Sequence, residues 1–168
     1  MRRISLCIML VLVILSSSVS VFAQELEAKE VLRPTGVMSK DKNIAEGLNN
    51  DEMTASRKSL IEYTNLRLYL SSGRKLVIEA RTRCIEQVDK VGFTDISLQR
   101  WNGSKWVNVV TPWDDLISNV RNHNLSYSRT VDGGYYYKVS LYHYAQQGSG
   151  IFANKQEIFN ETSYLWVD

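Results

Sequence analysis

The sequence predicts an all-β protein: an antiparallel β-sandwich of immunoglobulin-like or jelly-roll-like layering, with one short crossover helix. Three observations predict it. From Leu60 onward, apolar residues alternate with polar ones at the period of two that a strand with one buried face requires. Turn-forming clusters cut that alternation at close intervals. The stretches between them are rich in β-branched and aromatic residues, which favour a pleated, half-buried surface.

Taken in order, the Leu60–Leu70 stretch places Leu66, Leu68 and Leu70 on one face. Ser71-Ser72-Gly73 breaks the run, and Lys75–Val88 resumes it. There Leu76, Ile78, Ala80, Thr82 and Cys84 share a face, so the Cys84 thiol is expected to be buried as a small hydrophobe. Thr94–Trp101 and Lys105–Val110 flank Asn102-Gly103-Ser104, a hairpin signal because Asn and Gly tolerate positive φ. A two-residue loop sets Leu98 opposite Val107, and a four-residue loop sets it opposite Val109. Either way Trp101 and Trp106 fall together on the face away from the aliphatic residues.

Thr111-Pro112-Trp113-Asp114-Asp115 reads as a helix start, with a Thr cap, Pro in the first turn and acids beside the helix N-terminus. Trp113, Leu116, Ile117 and Val120 continue at helical spacing, and a loop with the same anchors reads alike. Leu125–Val131 is extended again, and Asp132-Gly133-Gly134 is a turn. Tyr135–Ala145 is a long strand, Gln146–Gly150 another turn, and Lys155–Val167 closes the fold with one or two strands.

The N-terminus carries an address. Arg2 and Arg3 precede the apolar Ile4–Leu15 run, and small residues lead to Val21-Phe22-Ala23. This is the order of a secretory signal peptide, and the apolar core is shorter than the ~20 residues of a membrane span. The expected organisation is a signal peptide over 1–23, a polar arm or linker over 24–56 and a β-sandwich over 57–168. The expected mature product is secreted, with no transmembrane segment. The formal charge of +2 comes from Arg2 and Arg3. Without them 18 basic residues face 18 acidic ones, so charge gives no argument for nucleic acid. Cys84 is the only cysteine beyond the leader, which excludes an intramolecular disulfide.

Several of these stretches, taken together, resemble a known group. They are Lys75-Leu76-Val77-Ile78, Ile96–Trp106, Gly134-Tyr135-Tyr136-Tyr137-Lys138-Val139, His143 and Glu157. They resemble small exported all-β proteins of Gram-positive spore-forming bacteria, a family defined as a domain of unknown function. The likeness spans roughly Leu66 to Trp166. It implies a secreted β-sandwich and a Gram-positive source, and it implies no catalytic residue.

Candidate chemistry is sparse. Trp101 and Trp106 offer two indoles for sugar stacking or a protein hot spot, unless their face packs beneath another strand, the polar arm or the Trp113 segment. Tyr136, Tyr142 and Tyr144 share the more polar face of their strand with Lys138 and Ser140, a second contact surface. His143 falls on the inner face, and a pair with Glu157 would fix its tautomer and supply a base. His123 sits in a polar stretch read as loop. No zinc-ligand spacing, phosphate loop, nucleophile elbow or dinucleotide fingerprint occurs, so no metal or cofactor is expected. The leading expectation is a non-enzymatic module binding an extracellular protein or glycan through Trp101, Trp106, Tyr136, Tyr142 and Tyr144. The alternatives are a secreted hydrolase using His143 and Glu157, and a matrix protein assembling through sheet edges.

Overall fold

One strand organises the molecule. In the computed structural model, which describes residues 32–49 and 59–168, β3 runs unbroken from Lys75 to Trp101. The others are β1 (Ile44–Glu46), β2 (Ile61–Leu70), β4 (Trp106–Asn108), β5 (Trp113–Thr130), β6 (Tyr135–Gln147), β7 (Asn154–Glu161) and β8 (Leu165–Val167). All belong to one sheet, and every pairing between named strands is antiparallel. The signal-peptide expectation, and Cys7 with it, lies outside the described residues.

The first half of β3 pairs with β2 from Leu76 to Cys84, and the second half pairs with β6 from Lys90 to Arg100. Along its other side β5 follows it from Lys75 to Ile96, and β4 takes over at Gln99. The two halves fold over each other at a register break between Arg83 and Val88. Thr82 Oγ1 donates to the Gly92 carbonyl at 3.3 Å, although ten residues of straight strand span about 33 Å. A single bent sheet thus makes both layers. The far edges also meet: Gly47 bridges Thr162, Leu48 N–H donates to Glu161 O, and Ser163 N–H donates to Glu46 O. The sheet curls until β1 touches the end of β7.

The core follows the expected alternation. Leu66, Leu68, Leu76, Ile78 and Ala80 from one layer meet Phe93, Ile96, Leu98, Val139 and Leu141 from the other. Ile61, Cys84, Val88, Val91 and Ala145 fill the space inside the bend. The Asn102 hairpin has the four-residue loop, with Trp101 opposite Trp106 and Val109 N–H donating to Leu98 O. Asn102 Oδ1 accepts from the N–H groups of Ser104 and Lys105, which explains its place in the turn.

Two expectations need correction. The helix over the Thr111–Val120 stretch is absent: Trp113–Thr130 is strand β5. Its acids serve as turn and bulge partners instead. Asp114 Oδ1 accepts from Asp95 N–H at a β3 irregularity, where Asp95 takes φ 52°. The second correction concerns the arm. Its described residues from Arg33 to Asn49 belong to the same unit as the sheet, with Ala45 fully buried in β1. Tyr164 ties residues 34–38 down, donating from its hydroxyl to Pro34 O and from its N–H to Val37 O.

Candidate contact surface and buried histidine cluster

Strand alternation gives Trp101 an outward position, because Leu98 and Arg100 point inward. Register then builds a row across four strands. Trp106 of β4 faces Trp101 of β3, and Tyr136 of β6 faces Trp166 of β8. Arg100 faces Tyr137, so Trp101 and Tyr136 are the next pair along. The rings touch edge to face: Trp101–Trp106 at 5.5 Å and 62°, Tyr136–Trp166 at 4.8 Å and 62°. Tyr164 packs against Tyr136 at 5.4 Å and Trp106 at 6.0 Å. Tyr136 and Tyr164 are buried beneath the row, whereas Trp101, Trp106 and Trp166 are half-exposed.

A cation completes the surface. Lys138 Nζ lies 5.0 Å from the Trp106 ring centre and 2.7 Å from Glu161 Oε2. Trp106 therefore has one face taken by an ammonium and other contacts taken by Trp101 and Tyr164. Trp166 Nε1–H donates to Asp168.

The structure brings Trp101, Trp106 and Tyr136 together and leaves Tyr142 and Tyr144 elsewhere. Tyr136 is only 7% exposed, so it supports the indoles rather than offering its own face. Tyr142 is exposed and packs on Phe159 of β7 at 5.3 Å. Tyr144 is buried, and its hydroxyl donates to Gln146 Oε1 at 2.6 Å. Tyr164 and Trp166 were missed by sequence reading. Their period-two spacing after Thr162 was the available signal, but their partner strand was not assigned.

His143 is inside, as expected, with no exposed surface. Its expected partner is wrong. Register sets Ile158 opposite His143 and Glu157 opposite Tyr144, on the other face of the sheet. Glu157 accordingly adds to the rise in the Tyr144 pKa, after burial. The partner of His143 is Thr82, with Oγ1 2.9 Å from Nδ1. Thr82 Oγ1 also lies 3.3 Å from Gly92 O, so one hydroxyl links the ring to the backbone of the other half of β3. Nε2 is buried with no hydrogen-bond partner among the described residues. Burial pushes the imidazole pKa down to about 3, so it is neutral in the fold.

His123 is on a strand rather than in a loop. Its Nε2 lies 2.9 Å from Asp115 Oδ2. Phe93 stands between the two imidazoles, 5.6 Å from His123 and 5.5 Å from His143. The arrangement holds the two layers together at the bend. Cys84 is buried and its pKa is raised to about 11, chiefly by desolvation, so it carries no thiolate at neutral pH. Among the described residues no three His, Cys, Asp or Glu side chains are placed to hold a metal ion, and no helix is long and apolar enough to cross a membrane. Compared with known proteins, the chain matches no protein-family model and no curated protein.

Proposed function

We propose that this chain is a secreted, non-enzymatic binding module of a Gram-positive bacterium, and that its partner is an extracellular protein docking on the outer row of Trp101, Trp106 and Trp166. The observation that carries this reading is the row itself. Three half-exposed indoles rest on two buried tyrosines outside the main core. Large aromatics held by a rigid sheet lose little side-chain entropy on binding, which is why Trp dominates protein hot spots.

A protein partner suits the ring geometry better than a glycan. Sugar stacking needs a ring face lying open, and at Trp106 the ammonium of Lys138 occupies one. The tilted indoles offer edges and half-faces, which interdigitating side chains fill. The Lys138–Glu161 pair then sits at the rim, where charge adds specificity rather than affinity. A hydrolytic reading through His143 and Glu157 has no support, because the two lie on opposite faces of the sheet.

The test is binding of the labelled protein to intact cells of a Gram-positive spore-former. Mild protease treatment of the cells is expected to remove the binding sites, with glycan digestion leaving them. Binding that survives protease and is lost on glycan digestion would replace the protein partner with a glycan. Absence of saturable binding contradicts the reading altogether.

A further inference from the structure

The geometry points to a second binding site, for a small carboxylate, at the open end between the layers, where Arg100 and Arg129 line one cleft. This site goes beyond the outer aromatic row and does not depend on it. Inward positions along β3 run Ile96, Leu98 and then Arg100; along β5 they run Leu125, Tyr127 and then Arg129. At the same end of both layers the apolar alternation gives way to arginine. The two side chains line a cleft of about 260 Å³ with Asn108, Thr130, Val131 and Tyr137.

Arg100 is held in place. Its guanidinium lies 4.2 Å from the Tyr135 ring centre and 3.0 Å from Asp132 Oδ2. Tyr137, buried, donates its hydroxyl to Asp132 O at 2.8 Å and so fixes the turn that carries that carboxylate. Arg129, by contrast, has no ion-pair partner among the described residues. Two guanidinium groups and one carboxylate leave the cleft with a single net positive charge. A monoanion balances it. The planar fork of a guanidinium matches a carboxylate with two parallel hydrogen bonds. Asn108 and Thr130 line the cleft with backbone, since their register partners Gln99 and Lys75 are on the outer face and the Asn108 carboxamide accepts from Gln99 there, while Val107 and Val131 line an apolar side for carbon. The cleft is just under the ~300 Å³ at which sites for drug-sized ligands begin, so the ligand is the size of one sugar acid.

Glucuronate is the probe, titrated into the full chain and followed by amide chemical shifts, with glucose and sulfate as controls. Saturable shifts around Arg100, Arg129 and Tyr137 are expected with glucuronate and not with glucose. Arg129→Gln is the sharper variant, because among the described residues the Arg129 side chain makes no hydrogen bond or ion pair that the substitution would break. It is expected to weaken glucuronate by about tenfold or more, with an unchanged melting temperature. Arg100→Lys, which keeps charge and loses the fork, is expected to weaken it as well. Equal response to glucose, sulfate binding as tight as glucuronate, full affinity in Arg129→Gln, or no saturation would each overturn the assignment.

Discussion

At the scale of single residues, His143 shows how burial decides chemistry. Its pKa falls from the ordinary 6.5 to about 3 because the protonated ring would lose its water. Between those values the unfolded chain binds a proton that the folded chain refuses. The contribution is fully present above pH 6.5 and is lost as pH falls toward 3, by about 4–5 kcal/mol at ~1.4 kcal/mol per unit. Denaturant midpoints between pH 3.5 and 7 are expected to fall steeply in the wild type and less so in His143→Leu. Parallel curves for the two proteins would assign the acid sensitivity to other groups. The inward position of His143 was legible from alternation, and so was the burial of Cys84. The partner was not. Glu157 and Ile158 differ by one register step, and that step is set by the length of the β6–β7 connection, which period-two spacing does not report.

At the scale of elements, β3 is the unusual one, and its bend depends on backbone approach. A Cβ on Gly92 would stand 2.1 Å from the Asp115 carbonyl oxygen, and Gly92 has φ 155°. Gly92→Ala is therefore expected to cost at least ~2–3 kcal/mol, read as a lower urea midpoint. Gly103→Ala, whose Cβ meets nothing within 4 Å, is the control for backbone strain alone, since it too has positive φ. Equal losses at both positions would remove the close approach as the cause. Outside the bend, Glu62 Oε2 accepts from Arg83 and Arg121, and Arg121 also donates to Cys84 O. Such exposed pairs add at most ~1 kcal/mol each. The misreading of β5 has a clear origin. Trp113, Leu116, Ile117 and Val120 fit helical spacing, while Trp113, Asp115 and Ile117 share a strand face with an acid among them. Asp115 is accommodated there because His123 meets it. Pairing with β3 along nearly its whole length outweighs the local preference.

At the scale of the whole molecule, an all-β antiparallel fold was legible because one-sided burial imprints period two on every long strand. That both layers come from a single sheet was not legible, since nothing in β3 marks where it turns except the polar Glu86-Gln87 and the later Gly92. The inclusion of β1 was hidden for a similar reason: a three-residue strand with one buried alanine leaves almost no pattern. The outward pairing of Trp101 with Trp106 was readable from the hairpin. The burial of Tyr136 was not, because it comes from Trp166, paired with it across β6 and β8, and from Tyr164, which bridges Met38. Long edges are also managed at this scale. Among the described residues β5 pairs as a strand only with β3, and it carries Asp114, Arg121 and Arg129 and a positive-φ kink at Asn119, features that discourage edge-to-edge assembly.

The most direct measurement is the affinity of a Trp101→Ala/Trp106→Ala double variant for the cell surface, alongside the wild type and with folding checked by circular dichroism. Each indole removed from a hot spot costs ~2 kcal/mol or more of binding. The expected result is a native spectrum with binding reduced by about two orders of magnitude or more. A folded double variant that binds as tightly as the wild type would contradict the account.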